Sequence, residues 1–194
     1  MITLHYAPDN ASLILRLALE ETRMPYRAIL VDRRAGGQSS AEYLRLNPVG
    51  RIPAIETSHG AMFETAACLL WITEETGQLA PAPGTPQRPD FLKWLFFISN
   101  TLHAELRMLF YPEKYAPGAE AALSNCLHDT LNGHLALLDK AVAAREGFGG
   151  PDAPMATDLY LSILLRWPAL YPRGQSGWYD LAKFPALLAL AKAV

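Results

Sequence analysis

Cysteine, charge and long apolar runs are all scarce in this sequence. It has two cysteines, Cys68 and Cys126, both within apolar helical patterns, so we expect reduced, buried thiols and no disulfide framework. Charged residues make up 19% of the chain and its net charge is −2, with no cluster of lysines and arginines to attract nucleic acid or an anionic membrane. No apolar stretch reaches the roughly 18 residues of a membrane span, and the N-terminal residues lack the pattern of a secretory signal. These absences predict a soluble cytoplasmic protein that binds neither nucleic acid nor membranes.

Metal-binding and phosphate-binding patterns are missing too. The five histidines show no metal-ligand spacing, and two cysteines cannot complete a zinc site. The glycine-rich stretch at 147–150 is not followed by Lys-Ser/Thr, so it is not a phosphate loop. The sequence therefore predicts no metal.

Hydrophobic residues make up 51% of the 194 residues, which is enough for a sizeable core. Residues 78–90 contain four prolines and little apolar bulk, which is typical of a linker. We therefore predict a domain at 1–77, a linker at 78–90 and an all-helical domain at 91–194. Because the last helical pattern runs to the final residue without a cap, we expect the helical domain to be truncated at its C-terminus.

Before the linker, strand-like and helix-like patterns alternate in the order β-α-β-α-β-β-α. The predicted strands are 2–6, 26–32, 52–57 and 61–64, and the predicted helices are 12–21, 41–46 and 65–76. A tight turn at 58–60 makes the last two strands antiparallel, so this order predicts a mixed sheet with helices on its faces, as in a thioredoxin-like domain. After the linker, helices are predicted at 91–111, 120–145, 157–167 and 185–194, with a break from Gly147 to Pro151.

The segment from Asn47 to Ile55, NPVGRIPAI, places a proline at the start of a strand. A cis bond at Pro53 would aim the backbone N–H and C=O of Ile52 at a peptide-like ligand. The alternative is an ordinary trans proline in a connecting turn.

Glu64 and Thr65 lie where a strand meets a helix. The helix N-terminus suits a carboxylate, and Glu64 could pair with an ammonium, so together they suit the head group of an α-amino acid. The alternative is a simple helix cap.

The turn from Pro8 to Ser12 follows the first strand. A hydroxyl at a helix start can donate to a bound thiolate, and the helix dipole favours the same anion. Ser12 and Tyr6 are the hydroxyls available; alternatively, Ser12 is an N-cap and Tyr6 an ordinary strand residue.

The order and spacing of these three signals resemble the glutathione S-transferase family, and the resemblance extends through FLKWLFFISNTLH and PMATDLYLSILLRW in the second half. Bacterial beta-class members are the most similar in appearance. The resemblance implies that the Ile52 backbone beside cis-Pro53 holds the cysteinyl part of glutathione, and that Glu64 and Thr65 hold its γ-glutamyl part. It further implies that Arg34 or Gln38 reaches the glycyl carboxylate, that Ser12 or its neighbours face the sulfur, and that His103 approaches from the helical domain. Tyr6 lies close to the position of the tyrosine in Tyr-type classes, but Ser12 is favoured because its four-residue spacing to Arg16 resembles that of Ser- and Cys-type members.

The sequence departs from the beta class in its first turn, where Ala11 replaces that class's cysteine. Mixed-disulfide chemistry through a protein thiol is therefore not expected. Met155 also stands where a capping Ser or Thr is usual, three residues before Asp158, which we expect to be structural.

The resemblance implies an enzyme that binds glutathione and stabilises its thiolate for attack on a small hydrophobic electrophile. Tyr111, Tyr115 and Trp167 are candidates for the pocket that receives this electrophile. It implies a homodimer as well. Two alternatives remain on the same fold: a non-catalytic binding or regulatory module, and a glutathione-dependent isomerase or dehalogenase.

Overall fold

The computed structural model describes residues 1–150, 152–172, 174 and 176–193. The chain forms two compact units, Met1–Ala82 and Pro83–Val194. Pro151 and Val194, which end two of the predicted segments, lie outside the described residues.

The first unit is a four-stranded sheet with helices. Its strands are β1 (Ile2–Tyr6), β2 (Tyr26–Leu30), β3 (Ala54–Thr57) and β4 (Gly60–Phe63), and its helices are α1 (Ser12–Glu21), α2 (Ala41–Leu46) and α3 (Thr65–Thr76). The strand order is β2-β1-β3-β4. β1 is parallel to β2 and antiparallel to β3, which is antiparallel to β4. The predicted thioredoxin-like order and mixed sheet are therefore confirmed.

Three strands end earlier or begin later than predicted: β2 ends at Leu30 rather than Asp32, and β3 and β4 differ for backbone reasons. β3 begins at Ala54 rather than Ile52, because Pro53 has no N–H to donate to a ladder. β4 ends at Phe63 because Glu64 takes a φ of 70°, which is outside the strand region.

The sheet has a buried core on each face. Leu4 and Ile55 are partners in the β1–β3 ladder and both are fully buried. Neighbouring residues alternate to the opposite face, where Ala7, Val31, Tyr43, Ile52 and Ala54 form one apolar cluster. The loop around Ile52 is held in place on this opposite face, because Ile52 packs within the cluster.

The second unit is helical in its described part, as predicted. Its helices are α4 (Arg88–Phe97), α5 (Ala104–Phe110), α6 (Glu120–Ala143), α7 (Ala156–Leu170) and α8 (Pro185–Ala193). The single helix predicted at 91–111 instead begins at Arg88 and is divided by a π-helical turn at Ile98–His103. Pro89 near the helix start is compatible with the earlier beginning, because the first N–H groups of a helix have no intrahelical acceptor.

Helix α7 is buried along most of its length. At its start, Asp158 accepts hydrogen bonds from the backbone N–H groups of Met155 at 2.7 Å and Gly149 at 2.8 Å. Asp158 is thus structural, as expected. Met155 has no side-chain oxygen to accept the reciprocal bond of a capping box, so only half of the box is formed.

Helix α8 is capped by a residue of another helix. Asp139 of α6 accepts hydrogen bonds from the N–H groups of Ala186 at 2.8 Å and Leu187 at 3.1 Å. These are first-turn donors that have no intrahelical partner, so Asp139 ties the end of the chain to α6.

One of the two cysteines does not lie where the sequence pattern predicts. Cys68 is buried, as expected, whereas Cys126 is exposed. Its neighbours Asn125, Asp129 and Thr130 are exposed as well, so Cys126 lies on the outer side of α6. Over the described residues, no helix is long and apolar enough to cross a membrane.

Candidate functional site

The register of the sheet brings the three predicted segments to one of its ends. His5 pairs with Ala54, and Ala54 pairs with Phe63 on its other side. One residue further along, Pro53 therefore lies between Tyr6 and Glu64. The α1 turn, the proline loop and the start of α3 are adjacent for this reason.

The Ile52–Pro53 peptide bond is cis, which confirms the sequence-based prediction. Ile52 is buried. Its backbone N–H and C=O form no hydrogen bond to any other described residue. Buried backbone N–H and C=O groups are nearly always paired in a folded protein, so the N–H and the C=O of Ile52 are available to a ligand.

Helix α3 begins at Thr65, as predicted, and Glu64 immediately precedes it in an unusual conformation. Glu64 has φ 70° and ψ 112°, a region that costs a residue with a side chain about 1–3 kcal/mol. Its carboxylate is exposed and forms no ion pair with any other described residue. Thr65 is buried and its hydroxyl likewise has no partner in the described chain. An unpaired carboxylate thus lies beside an open helix N-terminus.

Cys68 lies one turn into α3, below Glu64. Its N–H donates to the Glu64 carbonyl at 2.9 Å. Burial, and secondarily the negative charge of Glu64, raise the pKa of the Cys68 thiol to about 12. This cysteine is a neutral thiol at physiological pH.

Ser12 is fully engaged within the protein. It is buried, and its hydroxyl donates to the Ala7 carbonyl at 3.1 Å and accepts from the Ala7 N–H at 3.2 Å. Ser12 is also not the N-cap, since that position belongs to Ala11 and carries no side-chain cap bond. The Ser12 hydroxyl proton therefore reaches a sulfur only if the bond to Ala7 breaks.

Asn10 is a polar residue of this turn that sequence reasoning missed. Its Oδ1 accepts from the Ser12 N–H at 3.0 Å, and its carbonyl accepts from the Leu13 N–H at 2.9 Å. The side-chain NH₂ of Asn10 and the N–H of Ala11 have no acceptor among the described residues. Asparagine is favoured in turns because its amide bonds to nearby backbone, and that preference was the available signal.

Tyr6 is half-buried at the end of β1 and lies on the same sheet face as Leu4. Its hydroxyl forms no hydrogen bond to another described residue. Tyr6 is therefore a free side-chain hydroxyl at this end of the sheet, whereas the hydroxyl of Ser12 is occupied.

Arg34 and Gln38 lie in the connection that follows β2. Gln38 belongs to a 3₁₀ turn at Gly37–Ser39, and its backbone oxygen would lie 3.2 Å from a Cβ placed on Gly50. The turn therefore packs against the loop that leads to Pro53. The Gln38 Oε1 atom is buried and lacks a hydrogen-bond partner in the described part of the chain. The Arg34 side chain is exposed.

The remaining predicted residues belong to the second unit. His103 Nδ1 and the Tyr160 hydroxyl are hydrogen-bonded at 2.8 Å, and the His103 ring lies 5.3 Å from that of Trp167. Trp167 is buried. Arg107 donates to the Tyr115 hydroxyl at 2.9 Å and lies over the Tyr111 ring. In the described chain, no group of three or more His, Cys, Asp or Glu side chains could hold a metal ion.

Comparison with known proteins identifies the family. The profile of the glutathione S-transferase N-terminal domain matches residues 11–75. A sphingomonad glutathione S-transferase solved in complex with glutathione is 31% identical, with a TM-score of 0.78, over 98% of this chain and 90% of that one.

The chain belongs to the glutathione S-transferase family. The predicted family and fold are thus confirmed, and with them a glutathione S-transferase-like enzyme. Glutathione S-transferase GST-4.5 of Xanthomonas campestris is 29% identical over 84% of this chain and 81% of its own length. The disulfide-bond oxidoreductase YfcG of Escherichia coli is 39% identical over 50% of this chain, a match that spans about half of that relative's length, 48%.

Proposed function

We propose that this glutathione S-transferase family member binds glutathione and stabilises its thiolate for attack on a small hydrophobic electrophile. The observation that carries the proposal is the unpaired backbone amide of Ile52 beside the unpaired carboxylate of Glu64. Glutathione is a peptide with an α-amino-acid head group, so its backbone matches the first group and its ammonium the second. The glutathione bound to the sphingomonad relative supports the same assignment.

The γ-glutamyl end of glutathione would lie at the start of α3. Its ammonium would pair with Glu64, and its carboxylate would accept from the free N–H groups of the first turn and from the Thr65 hydroxyl. The strained backbone at Glu64 fits such a role, because conformations of this kind cluster at ligand sites. Arg34 or the amide of Gln38 would hold the carboxylate at the glycyl end.

The cysteinyl sulfur would lie at the start of α1. There the Ala11 N–H, the Asn10 side-chain amide and the Tyr6 hydroxyl are free donors in the described structure. Each would stabilise a thiolate more than a thiol, and the helix dipole adds to this. In this arrangement Ser12 shapes the turn through Ala7, and Tyr6 is the side-chain hydroxyl that faces the sulfur.

Calorimetric titration with glutathione tests the binding step, with Glu64→Gln as the variant. Losing the charged partner of the ammonium should weaken binding about 30-fold or more. Glu75→Gln is the matched control, since it makes the same change on an exposed residue at the far end of α3. Equal affinities of the wild type and Glu64→Gln would reject the assignment of Glu64.

A conjugation assay with an electrophile panel tests the chemistry. Tyr6→Phe should lower kcat at saturating glutathione and raise the pKa of the bound thiol, measured as thiolate absorbance against pH. Binding without turnover by the wild type on any electrophile would favour a non-catalytic module instead.

A second candidate function is glutathione-dependent reduction of disulfides. It is favoured by the similarity to YfcG, which is named a disulfide-bond oxidoreductase. The glutathione thiolate would attack one sulfur of a disulfide RSSR, forming GSSR and releasing RS⁻. A second glutathione would then release the other half as RS⁻ and leave GSSG, so no protein cysteine is needed. Coupling GSSG formation to a glutathione reductase assay distinguishes this activity from conjugation.

Family resemblance also favours a homodimer in the cytoplasm, where glutathione is abundant. Light scattering after size exclusion gives the molar mass directly. A mass near 43 kDa, twice the 21.4 kDa of the chain, is the expected result, and a mass of one chain would reject the dimer.

A further inference from the structure

Two buried side chains converge on one carbonyl just before the candidate ligand-binding residue. The Tyr43 hydroxyl donates to the Arg51 carbonyl at 2.7 Å, and the Asn47 side-chain amide donates to the same oxygen, also at 2.7 Å. Both residues are almost fully buried, with exposed fractions of 4% for Tyr43 and 2% for Asn47. Two short bonds from buried donors hold this oxygen firmly.

The Arg51 carbonyl and the Ile52 N–H belong to the same planar peptide group. This peptide bond is trans, so its C=O and N–H point in opposite directions. With the oxygen held toward Tyr43 and Asn47, the N–H must point away from them. The direction of the free Ile52 N–H is therefore determined by two side chains that form no hydrogen bond with it.

Both donors are themselves held in place. The Tyr43 ring belongs to the cluster that includes Ile52 and Ala54, and it packs edge-on against His5 with ring centres 6.1 Å apart. Asn47 ends α2, and its Oδ1 accepts from the Val49 N–H at 3.0 Å. The carbonyl is thus tied to α2 and to the sheet, which are rigid elements.

We infer that Tyr43 and Asn47 are positioning residues for glutathione, acting by orienting the Arg51–Ile52 peptide so that its N–H meets the cysteinyl backbone. This inference rests on the proposed function. The two bonds also polarise the peptide group, which makes its N–H a stronger donor. A looser peptide would have to be ordered on binding, so the effect falls on glutathione affinity rather than on the chemical step.

The test compares Tyr43→Phe with Tyr179→Phe. Tyr179 is a matched control because its hydroxyl also donates to a backbone carbonyl, that of Leu165 at 2.8 Å, within the other unit. We expect Tyr43→Phe to weaken glutathione binding about fivefold, to raise KM for glutathione equally and to leave kcat within about twofold. Tyr179→Phe should lose similar stability in urea yet bind glutathione like the wild type.

Asn47→Asp is the second variant. It keeps an acceptor for the Val49 N–H but replaces the donor to Arg51 with a carboxylate oxygen, so it should weaken binding more than Tyr43→Phe. The carbonyl ¹³C shift of Arg51 should move in both variants and not in Tyr179→Phe, a readout that needs no glutathione.

The outcomes separate the inference from the proposed function. Equal affinity of the wild type and Tyr43→Phe, or an equal loss in Tyr179→Phe, overturns the inference and leaves the proposed function standing. If the wild type itself does not bind glutathione at millimolar concentration, the proposed function fails and the inference fails with it.

Discussion

At the scale of single residues, the buried hydroxyl of Ser12 shows how one side chain can order a turn. It satisfies both polar groups of the Ala7 backbone, while Asn10 accepts from the Ser12 N–H. The turn between β1 and α1 is thereby closed, and the Asn10 amide and the Ala11 N–H are left unpaired within the described chain. The sequence predicts that Ser12 donates to the sulfur, whereas in the structure its hydroxyl stabilises the turn by bonding to Ala7.

Ser12→Ala should therefore destabilise the fold as well as affect the site. It leaves the N–H and C=O of Ala7 unpaired in a buried place, and each such loss costs about 1–3 kcal/mol. Urea denaturation measures the effect. Ser58→Ala, in an exposed turn, is the control and should stay within about 0.5 kcal/mol of the wild type. If Ser12→Ala is as stable as the wild type but has lowered turnover, the hydroxyl of Ser12 is the one that donates to the thiolate.

Asp158 gives a pH-dependent prediction. Burial raises the pKa of its carboxyl above 3.8, although the N–H groups of Met155 and Gly149 oppose this rise. The native state then holds the proton to higher pH than the unfolded chain, so stability falls as pH rises from about 3.8 through the raised pKa. Asp158→Asn cannot titrate.

The stability of the wild type minus that of Asp158→Asn should therefore decrease with rising pH above about 3.8 and then become constant. Urea denaturation of both proteins at a series of pH values measures this difference. A difference that increases with pH would mean that the two N–H bonds outweigh burial and lower the pKa of Asp158.

At the scale of elements, two helices end with arginine in a backbone conformation that favours glycine. After α1, Arg23 has φ 54°, with its N–H bonded to Glu20 and the N–H of Met24 bonded to Leu19. Arg145 has φ 53° after α6, with the same pair of bonds. These are Schellman endings, in which the left-handed position usually holds glycine. At the end of both helices, a positive φ at a residue with a side chain therefore lowers the free energy of unfolding, and other contacts of the fold offset this loss.

Arg23→Gly should stabilise the protein by about 1 kcal/mol, because glycine adopts a positive φ without steric cost. Thermal unfolding or urea denaturation would show the gain. Arg23→Ala removes the same side chain but keeps the strain, so it should give no gain. Equal stabilities of the glycine and alanine variants would show that the left-handed backbone costs nothing here.

At the scale of the whole molecule, the two cysteines differ in accessibility although the sequence predicts the same environment for both. Cys68 is buried beneath Glu64 with a pKa of about 12, whereas Cys126 is exposed on α6. Thiolate, not thiol, is the reactive form. Neither cysteine lies at the predicted sulfur position, which is next to Ala11.

A thiol-reactive chromogenic disulfide should therefore modify one thiol per native chain and two per unfolded chain. Cys126→Ser should abolish the fast reaction, and Cys68→Ser should leave it unchanged. Both variants should also retain any transferase activity. Fast reaction of two thiols in the native protein would mean that Cys68 is accessible at the surface. Loss of activity in either variant would mean that the reaction does not take place at the predicted sulfur position.

The amino-acid sequence by itself determined the order of strands and helices and the mixed sheet, because these depend on apolar periodicity and turn residues. The order and spacing of three motifs indicated the family, and the cis bond at Pro53 followed from that resemblance, since a proline at a strand start is compatible with either a cis or a trans bond. The sequence also marked Glu64 and Thr65 at the start of α3, a place that a strand-to-helix junction fixes locally.

Only the tertiary structure decided how the hydroxyls and thiols are used. Hydrogen bonds across turns and loops, between residues four to eight positions apart, join Ser12 to Ala7 and direct Tyr43 and Asn47 onto the Arg51 carbonyl. Packing decided which side of α6 faces the core and so left Cys126 exposed. Sequence periodicity indicates that a residue lies on a helix, but the atoms that satisfy each polar group are known only once the elements have packed.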